Sequence, residues 1–165
     1  MLKEMRVAGI TVDPFTNTPI VILKDLDEKD VVPIWIGLLE ASSIATAIEK
    51  IQTPRPMTHD LLKNILDQLG VKIVKIEVND LKDNTYYALL HLDVNRKRLV
   101  IDARPSDAIA LALRTGASIF VDENVIKRAA KIDLAQKGGK VVTDTSEWEE
   151  ILENLSSDDF GKYKM

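Results

Sequence analysis

The sequence predicts an α+β fold with a largely antiparallel sheet and helices packed on it. Three observations point there. Strand-like runs come in two sets of three, and short turn-forming segments between them suit antiparallel pairing. Elsewhere, apolar residues recur at i, i+3 and i+4, the mark of helices with one buried face. A length of 165 residues, 45% apolar and 29% charged, fits one domain with its own core and excludes a disordered chain.

Residues 4–13 (EMRVAGITVD) are rich in β-formers and read as a strand. The segment 13–19 (DPFTNTP) is turn chemistry, and 20–25 (IVILKD) returns as a second strand, giving a hairpin. Residues 31–37 (VVPIWIG) form a third strand, in which Pro33 belongs at an edge because it cannot donate to a ladder. A helix follows over 38–51, striped by Leu38, Ala41, Ile44, Ala45, Ile48 and Ile51. The segment 53–57 (TPRPM) breaks it. Thr58 is the expected N-cap of the next helix, with Leu61, Leu62, Ile65, Leu66 and Leu69 on one face and Gly70 ending it.

Strands are expected next at 71–79, 85–94 and 97–102. In the first, the apolar positions change parity after residue 73, which indicates a bulge. The helix over 105–114 is apolar on nearly every side, so it is buried either within the domain or between subunits. A short strand at 118–121 and a short helix at 122–131, capped by Asp122, complete the domain, taken as 1–136. The segment KGGK (137–140) reads as a hinge. Beyond it, Ser146 and Glu149 match a capping box, and Trp148, Ile151, Leu152 and Leu155 stripe a last helix. Residues 36–48 and 101–113 share four identities in thirteen at an offset of 65, each after three strands, which suggests an internal βββα pseudo-repeat.

The net charge is −4, but 141–165 alone carry −5, leaving a body near neutrality and an acidic tail. Nucleic-acid contact would therefore need a local basic patch. The absence of cysteine excludes disulfides, thiolate metal sites and a cysteine nucleophile. No apolar run approaches the roughly 18 residues of a membrane span, and the N-terminus lacks a signal-peptide layout, so a cytoplasmic protein is expected.

Two charged clusters sit where helices begin. In IDARPSDAIALAL (101–113), Asp102, Arg104 and Asp107 fall within six positions. Pro105 at the first helical turn, Ser106 as a cap and Asp107 at the dipole's positive end have ordinary structural explanations; Asp102 and Arg104 are less easily explained that way. In PRPMTHD (54–60), Arg55, His59 and Asp60 repeat the arrangement. An arginine beside a helix N-terminus suits a phosphate, although a local ion pair accounts for it equally well. His59 has the chemistry of a general acid or base, or of a metal ligand, while His91 reads as a packed strand residue. Glu40 opens the 38–51 helix. Glu40, Asp60, Asp102 and Asp107 are the carboxylates available to a divalent metal, but no HExxH, EF-hand, glycine-rich phosphate loop or GxSxG pattern is present.

The blocks PIWIGLLEASSIATAIE, PRPMTHDLL, LGVKIVKIEVNDLKDNTYYALLHL and IDARPSDAIALALR resemble the bifunctional nuclease domain family, over roughly residues 4–132. The resemblance implies an α+β domain with a mixed sheet, a homodimeric or higher assembly, and nuclease activity of the kind attributed to plant relatives. It carries over no established catalytic residues. On this reading the chain is a metal-assisted phosphodiesterase acting on DNA or RNA. Asp102, Asp107, Asp60 and Glu40 hold Mg²⁺ or Mn²⁺, with Asp102 and Asp107 as the principal ligands. His59 moves the proton, and Arg55 and Arg104 clamp phosphate. The alternative is a non-catalytic anion- or nucleotide-binding or oligomeric module, with the Ala-rich 105–114 helix as an assembly element.

Overall fold

The structure, a computed structural model, describes residues 1–131 and the backbone of 141–142. The hinge at 137–140 and the C-terminal helix expected from the sequence lie outside the described residues. The elements run β1 (Leu2–Val12), β2 (Pro19–Asp25), β3 (Val31–Trp35), α1 (Leu38–Ile48), α2 (Thr58–Gln68), β4 (Val71–Lys82), β5 (Thr85–Val94), β6 (Lys97–Ala103), α3 (Pro105–Thr115), β7 (Ser118–Asp122), α4 (Glu123–Ala129) and β8 (Val141–Val142).

The strands form one mixed sheet in the order β3-β2-β1-β7-β4-β5-β6, and β8 adds two residues beside Ile10 and Thr11 of β1. All pairings are antiparallel except β4 with β7. Two antiparallel meanders, β1–β3 and β4–β6, thus flank β7. Each ends in a helix, α1 or α3, and these two helices pack on each other. The βββα repeat is therefore present in the architecture. Its register differs from the one the sequence suggested: the N-cap positions Gly37 and Arg104 lie 67 residues apart. At that offset Glu40 matches Asp107, both in the third helical position. Short apolar helices align by chance at several offsets, which is why the ungapped match at 65 missed it.

Turn chemistry explains the tight hairpins. Asp83 and Asn84 join β4 to β5, and Asn95 and Arg96 join β5 to β6, all four at positive φ. Asp and Asn tolerate that region; Arg96 does so at some cost. The expected bulge in β4 lies at Val74, where the register slips between Ile73 and Lys75, and a second slip follows Val78. Pro33 lies in β3, an edge strand, as expected. Two helix starts differ from expectation. Thr58 is the first residue of α2, not its cap; Met57 holds the cap position and the Asp60 carboxylate accepts its N–H at 3.1 Å. Ser106 is likewise inside α3, and Arg104 is the N-cap residue.

Helix α3 is buried within the chain itself, against β4, β5, β7, α1 and α2. Ala108, Ala110 and Ala112 let it sit close to its neighbours, while Ile109 and Leu111 fill the core. It needs no partner chain to cover it, so the role of assembly element does not fall to this helix. The sheet also curls. The Tyr86 hydroxyl in β5 donates to the Pro33 carbonyl in β3 at 2.7 Å, although the two strands lie five places apart in the sheet order. Burial pushes the Tyr86 phenol up to about 12.

Tyr86→Phe leaves the buried Pro33 carbonyl without its donor and is expected to cost about 1–3 kcal/mol in denaturant unfolding at pH 7. The raised phenol also sets a pH signature. Its stabilisation is complete below the unfolded value near 10 and is lost as pH rises through about 12. An alkaline limb of the stability curve in that window, absent from the Phe variant, is the expected measurement.

Candidate functional site

Helices α1, α2 and α3 bring their first turns to one place, and each carries an acid at its third position: Glu40, Asp60 and Asp107. Acids there complement the helix dipole. Here they also take part in a connected set of side-chain bonds.

His59, at the start of α2, links the other two helices. Its Nδ1 lies 2.6 Å from the Ser43 hydroxyl of α1, and its Nε2 lies 2.8 Å from Oδ1 of Asp107. A carboxylate only accepts, so the Nε2 position carries hydrogen. In the neutral ring, Nδ1 then accepts from Ser43 (tautomers assigned here from partners). The His59 side chain is 13% exposed. Arg104 closes the array from the other side. Its Nε donates to Oδ2 of Asp107 at 2.9 Å, one Nη donates to Oδ1 at 3.2 Å, and the other donates to Oε1 of Glu40 at 3.0 Å. The hydrogen bond from His59, and then the Arg104 guanidinium, hold the Asp107 carboxyl down at about 2.

A second arginine braces the same helices from within. Arg114, at the far end of α3, donates to Asp60 at 2.8 Å and to the carbonyls of Ser43 and Ala110, each at 3.0 Å; its side chain is 8% exposed. This guanidinium lowers the Asp60 carboxyl below the ordinary range. A cleft of about 310 Å³ opens beside the array, lined by Trp35, Gly37, Glu40, Tyr86, Arg104 and Ser106 among others. The Glu40 carboxylate lies close over Gly37: a Cβ there would meet one of its oxygens at 2.1 Å, so a larger residue would make that side chain move.

Of the residues singled out from the sequence, Glu40, His59, Arg104 and Asp107 converge. Asp60 stands one residue from His59 but turns to Arg114. Asp102 is exposed on β6, opposite Leu89 of β5, and does not join the array. Arg55 is exposed in the 53–57 segment, where its carbonyl accepts from the Thr53 hydroxyl. His91 pairs with Glu77 across the β4–β5 ladder at 2.9 Å. Ser43 and Arg114 were missed in the sequence. The usable signal was helical spacing: Ser43 follows Glu40 by three residues, and Arg114 follows Asp107 by seven, so each pair shares a face.

The donor set suits ion pairs better than a cation. The carboxylate oxygens of Asp107 face His59 and Arg104, and no group of three Asp, Glu or His among the described residues is placed to hold a metal ion. What the array can do is hold an imidazole in one tautomer between a hydroxyl and an anion, beside a guanidinium at a cleft.

Asp107→Asn is expected to lower stability at pH 7 by about 1–2 kcal/mol, because it removes a partly exposed carboxylate held down at about 2 by His59 and Arg104. A depressed carboxyl contributes above its unfolded value of 3.8, and the contribution is lost as pH falls through about 2. The difference between wild type and variant, followed by thermal or denaturant unfolding, should therefore shrink to nothing across pH 4 to 2.

Comparison with known proteins identifies relatives. The model of the bifunctional nuclease domain matches residues 21–133. An uncharacterised protein of Mycobacterium tuberculosis is 36% identical over 164 residues, which cover 96% of this chain and 98% of that protein. Bifunctional nuclease 1 of Oryza sativa subsp. japonica is 25% identical over 109 residues, and Bifunctional nuclease 1 of Arabidopsis thaliana is 28% identical over 109. These alignments cover 64% of this chain but about a third of each plant protein. The matched span contains α1, α2 and α3 and with them every residue of the array, and the chain belongs to the bifunctional nuclease domain family.

Proposed function

We propose that the chain hydrolyses phosphodiester bonds in nucleic acid, with His59 as the proton-transferring group at the junction of α1, α2 and α3. The observation that carries this reading is the bonded series Ser43–His59–Asp107, with Arg104 beside it at an open cleft. Its support from relatives is the family match and the nucleases named among the plant proteins.

Each residue has a task that follows from its contacts. Asp107 fixes the imidazole with hydrogen on Nε2 and stabilises the imidazolium that forms when Nδ1 takes a proton. Nδ1 is the reactive nitrogen, and the Ser43 hydroxyl marks the position of a proton donor to it. Arg104 supplies donors for a phosphate oxygen. Its bond to Glu40 is a single one, so an incoming phosphate exchanges with Glu40 and leaves the two bonds to Asp107 in place. No step here passes through a metal ion, and the Mg²⁺ or Mn²⁺ expected from the sequence becomes an arm of the test.

A second reading rests on its own observation. Glu40 and Asp107 are each already paired with Arg104, and Asp107 with His59, so the cluster serves to pin three helix starts without any chemistry.

The experiment is cleavage of single- and double-stranded DNA and of RNA by the purified full chain, with and without EDTA. Wild type should cleave in EDTA. His59→Ala should reduce the rate by about 10²–10⁴-fold, the range for loss of a general acid–base group. Asp102→Asn, away from the array, should leave it unchanged. Wild-type rates in the His59 variant, or cleavage abolished by EDTA, would reject this assignment. Absence of any cleavage, with stability lost in both His59→Ala and Asp107→Asn, would favour the pinning role.

A further inference from the structure

Strand β6 is an edge of the sheet, and on its outer side no strand pairs with it among the described residues. The opposite edge is protected: β3 is largely buried and contains Pro33. Strand β6 has neither protection. Leu99, Val100 and Ile101 are 49%, 54% and 45% exposed, three consecutive apolar residues at an open edge. Proteins seldom leave such an edge free, because its unpaired backbone groups and apolar side chains recruit another strand.

The sequence of the strand says which one. A second copy of the same edge can join only antiparallel, about a two-fold axis perpendicular to the sheet. That axis keeps each residue on the same face in both copies, so facing residues must have the same parity. Three centres are then available within the apolar triplet. Centred on Leu99, the pairing sets Arg98 against Val100 and Lys97 against Ile101. Centred on Ile101, it sets Val100 against Asp102. Centred on Val100, it sets Leu99 against Ile101, Val100 against its own copy, and Arg98 against Asp102, twice by symmetry. Only the last register matches charge with opposite charge and apolar with apolar across the five central residues, leaving Lys97 beside Ala103 at the ends. Neither Arg98 nor Asp102 has an ion-pair partner within the described chain.

We propose that the surface through which two copies of the chain associate is the β6 edge, paired antiparallel with its own copy and centred on Val100, joining two sheets into one. This gives Asp102 a role that the helix junction does not: it is the intermolecular partner of Arg98. The strand rise of about 3.4 Å per residue puts the two Arg104 N-caps roughly 27 Å apart on either side of the axis, so each copy keeps a separate helix junction. The proposal does not depend on the catalytic reading, and its test reads assembly alone.

The first arm measures mass by light scattering and sedimentation across a concentration series, for wild type, Arg98→Asp, Asp102→Arg and the double swap. Each single reversal faces like charges twice and should raise the dimer dissociation constant by about tenfold or more; the double swap should restore it. Arg98 and Asp102 are both exposed edge sites, and circular dichroism checks that each variant folds. The second arm exploits the absence of cysteine. In Val100→Cys the two sulfurs face each other across the axis, where facing Cα atoms of about 4.5–5.5 Å suit a disulfide. This variant should cross-link on mild oxidation, and Phe15→Cys, on an exposed loop, should not. A monomeric wild type would overturn the proposal. So would a dimer indifferent to both reversals, or equal cross-linking at positions 15 and 100; the exposed face of α2 (Leu61, Leu62, Ile65 and Leu69) would then be the contact to examine.

Discussion

The close seating of α3 is the constraint on which the rest depends. Three buried alanines let this helix approach the sheet and both neighbouring helices at once, and a larger residue at any of them would push a neighbour away. Because α3 is held so tightly, its two ends act as fixed reference points. Its first turn presents Arg104 and Asp107 to α1 and α2. Its last turn presents Arg114 to the same two helices from below. A helix free to slide by even an ångström would lose the bonds at one end or the other.

The electrostatics of the junction follow from that placement. Three acids converge at three positive helix ends, and two arginines from α3 lie among them. Arg104 serves Glu40 and Asp107; Arg114 serves Asp60. Arg114 favours the ionised form of Asp60, and His59 with Arg104 that of Asp107, lowering both carboxyls. Among these charges His59 is placed between a hydroxyl and an anion.

Much of the fold was legible because its signals are local. Alternation in β5, the stripes of α1 and α2, the proline in β3 and the Asn-containing turns each act over a few residues. Sheet order is not local. Nothing in the five residues of β7 announces that they lie between β1 and β4, or that one of those pairings is parallel. The junction divides the same way. Glu40, His59, Arg104 and Asp107 drew notice because charges at helix starts are conspicuous. Ser43 and Arg114 lie inside or at the end of apolar stripes and read as interruptions. Asp102 shows the limit of sequence proximity: two positions before Arg104, it belongs to a different element and faces a different neighbourhood. The Ala-rich helix read correctly as buried, but sequence could not say by what, and the answer lies within the chain.

The position of β7 has a consequence for how the chain comes together in time. Leu2 pairs with Asp122, and Ile76 with Ile119, so the middle of the sheet closes around one of the last described strands. During synthesis both meanders are complete before that strand emerges. Until then each has an inner border with no partner, and the first strand of the protein waits for more than a hundred residues to be added. Closure therefore comes late and depends on contacts distant in sequence, the regime in which folding is slow and half-built intermediates are most vulnerable to joining the wrong neighbour.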